Sequence, residues 1–336
     1  MRIAIASPPL IPTPPPGMGY GGLERLAWDL AEELGRRHEV VLIAGEGSNA
    51  HWVVPRGFES SPDTGLLESI SASLADGCDA LIDMTHTKLF AQTAHRVAHG
   101  SDRRLRCGMV RSYSFWTDRA GVNPVYPSRA VSYLMSGSGY TCGASDSHII
   151  YPGIDLSGYR SSSKEDYFVY FGRIIPEKAV ERSILVAYEA GVRLLVAGHT
   201  GIFSYDRSYV DMIRGMCRGR VEWLGEISHE EKIELLSHAR GMIFMPRWVE
   251  SFGIAVAEAL ASGCPCIVGG AGGHTEQVED GVNGYVVRNL REAVEAVKRV
   301  AGGEIDPERC VKSAEKFSRT VMAARWESLL QGGGDA

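Results

Sequence analysis

Residues 241–268 read GMIFMPRWVESFGIAVAEALASGCPCIV, and their pattern decides the fold class. Gly241–Met245 is a short apolar run suited to a buried strand, Phe252–Ser262 has helical periodicity, and Cys264–Val268 is a second strand-like run. A helical crossover between two neighbouring strands leaves them parallel. The same rhythm continues on both sides. Phe168–Phe171 leads through a Gly-Arg turn to a helix near Ala179–Ala190 and a strand at Arg193–Ala197, and strand Val221–Leu224 precedes helix His229–His238. In the first half, strand Arg2–Ala6 precedes a helix over Leu23–Arg37, then strands at Glu39–Ala44, Asp79–Asp83 and Arg106–Val110. Strands alternating with helices predict an α/β protein with two parallel sheets, each covered on both faces. The boundary is expected in Asp155–Asp166 (DLSGYRSSSKED), which is rich in Ser, Gly and charge. Past Gly302 two helical patterns remain, Pro307–Phe317 and Thr320–Leu330, and the second carries a stripe of Met322, Trp326, Leu329 and Leu330 that needs a surface to cover it.

Composition narrows the classes. The 336 residues suit two domains, and 35 Lys+Arg against 41 Asp+Glu give a net charge of -6, which argues against a general nucleic-acid binder. No apolar stretch is long enough for a transmembrane helix, and the N-terminal run is too short for a secretory signal. The 7 cysteines form no C-x-x-C pair and read as reduced thiols of a cytoplasmic protein.

Three segments carry candidate chemistry. Phe171–Lys178 (FGRIIPEK) ends a strand, turns at Gly172, and sets Arg173 and Lys178 on either side of Pro176, a common first helical residue. Two cations at such a turn match the charges of a diphosphate, one gripping bidentately and the other as a point charge. No P-loop motif occurs. In Glu250–Glu258 (ESFGIAVAE) the helix is expected to begin near Ser251–Phe252. The carboxylates then stand roughly 12 Å apart along the axis. That exceeds the roughly 5–10 Å of a glycosidase pair and suits the two ends of an extended ligand, with the N–H groups around Phe252 and Gly253 between them. Asp79–Lys88 (DALIDMTHTK) places Asp83 and His86 past a strand end, where His86 is a candidate proton-transfer group.

Other readings compete in the first half. Gly17, Gly19 and Gly22 spell G-x-G-x-x-G, but the proline-rich run 8–16 separates them from the first strand, so a mobile loop ending at a helix N-terminus with Gly21 and Gly22 near an anion fits better than a dinucleotide turn. Arg103–Arg119, with Tyr113, Phe115 and Trp116, reads either as an acceptor surface or as solvated charge.

The chain resembles a group 1 (family 4) retaining glycosyltransferase of the GT-B type. The resemblance rests on PPPGMGYGGLER (14–25), YFGRIIPEK (170–178), WLGEISHEEK (223–232), the Glu250–Glu258 element and EDGVNGYVV (279–287), in the family's order. It implies two Rossmann-like doubly wound domains facing across a cleft: residues 1–155 on the acceptor side, 166–316 binding the nucleotide sugar, and 317–336 as a helix crossing back to the first domain. It further implies that Arg173 and Lys178 bind the donor diphosphate, Glu258 the ribose hydroxyls and Glu250 the sugar hydroxyls. Gly172, Ser251, Phe252 and Gly253 would line the donor site, and Gly21 and Gly22 would close on the phosphate.

The expected reaction moves a hexose from a UDP- or GDP-linked donor to an acceptor hydroxyl with retention, with no cofactor and no metal, since no D-x-D occurs. Donor and acceptor are the expected partners, nucleic acid is not, and a homodimer is left open. The alternatives are a GT-B sugar-nucleotide epimerase or hydrolase, or a non-catalytic sugar-nucleotide-binding protein. The chain departs from the pattern at VRSYSFW (110–116), where many members carry a histidine; His86 or Arg111 stands in only by position. His274 in GGAGGHTEQV (269–278) is expected to line the donor loop.

Overall fold

The computed structural model describes residues 1–15, 21–54, 66–67, 69–70, 77–93, 109–113, 124–137, 148–200 and 207–332. They form two compact units. The first holds strands β1 (Arg2–Ala6), β2 (Glu39–Gly45), β3 (Trp52–Val54), β4 (Ala80–Asp83), β5 (Met109–Tyr113), β6 (Pro124–Tyr126) and β7 (His148–Ile149), with helices α1 (Gly22–Gly35) and α2 (Arg129–Gly137). The second unit holds β8 (Phe168–Phe171), α3 (Val180–Ala190), β9 (Leu194–Ala197), α4 (Arg207–Met216), β10 (Val221–Gly225), α5 (His229–His238) and β11 (Gly241–Phe244). There follow β12 (Val249–Glu250), α6 (Ile254–Ala261), β13 (Cys266–Gly269), β14 (Ala271–Gly272), β15 (Gly284–Val287), α7 (Leu290–Ala301) and α8 (Pro307–Ala314). A last helix, α9 (Arg319–Leu330), returns to the first unit.

In the first unit the strand order is β3-β2-β1-β4-β5-β6-β7, with the strands parallel. Successive residues point to opposite faces of a pleated strand, and the core follows that period. Ile3, Ile5, Leu42, Ala80 and Ile82 pack on one face with α1 and α9, while Ala4, Ala6, Val41, Ile43 and Leu81 pack on the other. The unpartnered stripe of the last helix finds its surface here: Met322, Trp326, Leu329 and Leu330 are buried against Leu26, Leu30 and Leu34 of α1. Arg319 adds ion pairs to Asp29, Glu32 and Glu33.

The expected elements lie where the apolar runs are, with shifts at their ends. The strand expected at Arg106–Val110 forms over Met109–Tyr113, because pairing with β4 sets Ser112 opposite Asp83. Over its described part the proline-rich segment packs against the first unit. Thr13 is fully buried, its N–H donates to Ser48 Oγ at 2.8 Å, and its hydroxyl bonds Ser7 Oγ at 2.9 Å. The segment Asp155–Asp166 is fastened to the second unit: Lys164 Nζ donates to the carbonyls of Ser237 and Ser262 at 2.7 and 3.0 Å. Cys78, Cys217, Cys264, Cys266 and Cys310 are free thiols. The side chains of Arg103–Arg119, and residues Gly17 and Gly19, lie outside the described residues.

Candidate functional site

The second unit's parallel sheet runs β10-β9-β8-β11-β13-β15, so its winding reverses between β8 and β11. The chain leaves the carboxyl ends of those strands toward helices on opposite faces of the sheet, and the crevice at such a switch point is where open α/β sheets take ligands. FGRIIPEK leaves β8, and the segment containing Glu250 leaves β11. The two strongest sequence signals therefore meet for a topological reason. The loops are also clasped together: the Arg247 N–H donates to the Glu177 carbonyl at 2.9 Å, and the Arg247 guanidinium pairs with Glu181 at 2.6 Å.

Arg173 follows Gly172 at the mouth of this crevice. Its carbonyl accepts from the Tyr170 hydroxyl at 3.0 Å, and its guanidinium lies 5.5 Å from the centre of the Trp248 ring. Among the described residues it has no salt-bridge partner. Lys178 ends a 3-10 turn, Pro176–Lys178, and α3 starts only at Val180, so Pro176 opens the turn rather than the long helix. Lys178 is buried and paired with Glu250 through Oε2, and its ammonium lies 5.0 Å from the Trp248 ring centre and 5.4 Å from that of Phe244. Burial pulls the Lys178 ammonium below its ordinary value, with Glu250 opposing the pull. Burial alone would raise the Glu250 carboxyl, but Lys178, with help from the Trp248 N–H, holds it below its ordinary value.

Glu250 does not stand at the threshold of a helix, as the sequence suggests. It lies in β12, paired with β14 in a register that sets Glu250 opposite Gly272. A Cβ on Gly272 would fall 2.1 Å from the Glu250 carbonyl oxygen, so only glycine allows that closure. The helix begins at Ile254, capped by Gly253 at φ +87, where a Cβ would fall 2.7 Å from that of His274. Among the described residues no side chain caps this N-terminus, and a helix N-terminus is a place where backbone N–H groups and the dipole favour an anion. Phe252 is buried edge-on against Phe317 at 5.3 Å, and its carbonyl accepts from Gln277 at 2.6 Å, which makes its side chain an anchor of the turn. Ser251 between them is half-buried.

Glu258, within α6, accepts from Lys232 Nζ at 2.5 Å and from the Tyr159 hydroxyl at 2.8 Å, both on Oε1. His274 is fully buried; its Nε2 bonds the Gly269 carbonyl at 2.8 Å, and burial lowers its pKa. Neutral His274 thus carries its proton on Nε2 and braces the turn beneath Glu250. Lys232, Tyr159 and Trp248 are the residues that sequence reasoning missed. Lys232 falls within WLGEISHEEK, but its charge suggests a solvated helix face.

In the first unit, β1 and β4 flank the corresponding reversal. Gly21 (φ +104) caps α1 and Gly22 opens it, which places both past β1; His86 is half-buried past β4. Asp83 is scaffold rather than reagent. Its Oδ1 accepts from the Thr85 N–H at 2.9 Å and hydroxyl at 2.6 Å, and Oδ2 from the Ala91 N–H at 2.9 Å. Lys88, fully buried, donates its ammonium to the Thr85 carbonyl.

A family model described as glycosyl transferases group 1 matches residues 157–317. The D-inositol 3-phosphate glycosyltransferase of Mycobacterium avium (strain 104) is 31% identical over 155 residues, covering 41% of this chain. That of Mycobacterium tuberculosis (strain ATCC 25177 / H37Ra) is 28% identical over 176 residues, covering 46% of this chain. The match spans only 36% of the length of each of these relatives. Among solved structures, AviGT4, a glycosyltransferase involved in avilamycin A biosynthesis, is 26% identical with a TM-score of 0.74, covering 99% of this chain and 98% of that one. Anabaena Alr3699/HepE in complex with UDP-glucose shares the fold, with a TM-score of 0.70 and 16% identity over 99% of this chain and 100% of that one.

Proposed function

We propose that this chain, whose residues 157–317 match the family model of the group 1 glycosyl transferases, moves a hexosyl unit from a UDP- or GDP-linked sugar to an acceptor hydroxyl with retention of anomeric configuration. One observation carries the reading: Arg173, which has no ion pair among the described residues, and Lys178, held by Glu250, share the crevice at the sheet's reversal. Departure of a nucleoside diphosphate concentrates negative charge on its phosphate oxygens while the sugar becomes oxocarbenium-like. Fixed donors aimed at that charge lower the barrier because they need no reorganisation. Arg173 offers a guanidinium for which no carboxylate among the described residues competes. Lys178 offers an ammonium whose present partner is a carboxylate, so an arriving diphosphate replaces one anion with another. Glu250, relieved of part of that pairing, then accepts hydrogen bonds from the sugar hydroxyls, and Glu258 accepts them from the ribose hydroxyls. The assignment of Gly21 and Gly22 to the phosphate rests on the family resemblance, and that of His86 to proton transfer rests on its place past β4 alone.

UDP-glucose is the first donor to try, since a protein of the same fold binds it. At a hundredfold excess over its Kd, a true donor stabilises the folded chain by about 2.7 kcal/mol. A thermal-shift screen of UDP-, GDP- and ADP-sugars should therefore show a rise of several degrees for one base. Silence from all three would sink the reading. With donor alone most of the sugar nucleotide should stay intact; its rapid conversion would favour the epimerase or hydrolase alternative. NMR of the product's anomeric proton decides retention.

We further propose that no metal is needed, because the cations of the crevice do the neutralising and no D-x-D occurs. EDTA should leave the rate unchanged, and a loss restored by Mn²⁺ would contradict this. A cytoplasmic location is part of the same proposal, and no helix among the described residues is long and apolar enough to cross a membrane.

A further inference from the structure

Glu258 is held by one oxygen. Lys232 Nζ at 2.5 Å and the Tyr159 hydroxyl at 2.8 Å both donate to Oε1, and among the described residues no donor reaches Oε2. The three groups come from separate places: Tyr159 from the segment before β8, Lys232 from the first turn of α5, and Glu258 from α6. Lys232 is only 4% exposed, although its neighbours Glu230 and Glu231 face solvent. A buried ion pair of this kind adds little stability over an apolar pair of equal volume, so its presence calls for another role. Its position supplies one. The Lys232 ammonium lies 5.5 Å from the ring centre of Phe171, the last residue of β8 and the one before Gly172 and Arg173. The clamp therefore joins Glu258 to the root of the anion-binding loop.

We infer that Lys232 and Tyr159 are positioning residues that pin Oε1 of Glu258 so that Oε2 faces the ribose hydroxyls, making the site select ribonucleotides over 2′-deoxyribonucleotides. The inference rests on the reading of Glu258 as the ribose carboxylate. An unclamped carboxylate would turn about its last torsion and lose ordering entropy on accepting a hydroxyl. A clamped one has its acceptor in place, and a ligand lacking that hydroxyl leaves it unpaired. If the trio were only a strut tying α5 to α6, its loss would weaken every nucleotide alike.

Calorimetric titration of the intact chain separates these cases. The probes are UDP or GDP, whichever the wild type binds, and the corresponding 2′-deoxynucleotide. The wild type should prefer the ribonucleotide by about tenfold or more, as a charge-assisted hydrogen bond provides. Lys232→Met keeps the aliphatic stem and removes the donor, and should shrink the preference to about threefold or less. Tyr159→Phe, at a half-buried position, should shrink it in the same direction by a smaller factor, and it decides the question alone if Lys232→Met does not fold. A preference unchanged in the variants while both affinities fall together overturns the inference and leaves a strut. No preference in the wild type overturns the ribose reading itself, and that result is visible before any variant is made.

Discussion

Lys178→Ala should slow sugar transfer by about 10²-fold or more, because it removes a fixed cation from the place where the leaving diphosphate gathers charge. The same substitution should also cost stability. Lys178 and Glu250 are a buried pair, and deleting one member strands the other as an uncompensated charge, typically at about 3–5 kcal/mol. The two effects must be separated, since a partly unfolded enzyme is also slow. The double variant Lys178→Met, Glu250→Gln removes both charges and keeps both shapes. It should regain most of the lost stability in denaturant titration and remain slow in turnover. Recovery of the rate together with the stability would show that Lys178 acts only through folding, and an unchanged rate in Lys178→Ala would remove its assignment. The pH dependence has a sign as well. The Glu250 carboxyl is held below its ordinary value of 4.5, so its pairing free energy is fully present above that pH. It is lost only as pH falls through the lower folded value. In Lys178→Ala, burial no longer meets that opposition, and the window should move upward.

The parts of this site that were legible in the sequence are those that a strand and its following turn determine locally. Buried parallel strands are continuous apolar runs, so β8 and β11 can be read directly, and Arg173, Lys178 and Glu250 follow from what comes after them. What could not be read depends on pairings between distant segments. The two-residue contact of β12 with β14 captures Glu250 and delays the helix to Ile254. The helical pattern reads back to Ser251–Phe252, and nothing nearby announces that Gly253 will cap the helix in the left-handed region. Lys232 looks like one more charge on a polar helix; its burial depends on Glu258 and Phe171, which are remote in the chain. The strand at Met109–Tyr113 slipped for a related reason, since both candidate windows are weakly apolar and only the neighbouring strand sets the register.

Trp326→Ala should destabilise the first unit by about 3–5 kcal/mol, the usual cost of truncating a fully buried aromatic residue. Trp326 is 0% exposed and packs with Leu26, Leu30 and Leu34 of α1 and with Ile3 and Ile5 of β1, so its removal opens a void between the last helix and the sheet it covers. Charges also tie α9 to the turn that follows α1. Glu327 accepts from Arg37 at 2.6 Å and from His38 at 2.9 Å. Magnitudes decide which matters more. Arg37 is half-exposed, at 52%, and a solvated pair contributes about 0–1 kcal/mol, less in high salt. Arg37→Ala should therefore shift the denaturation midpoint only slightly and lose even that shift in 1 M salt, while the Trp326→Ala loss should persist there because burial of apolar surface does not depend on screening. If Trp326→Ala costs no more than Arg37→Ala, the ring is not sealed in the core, and the docking of the last helix rests on its charges instead.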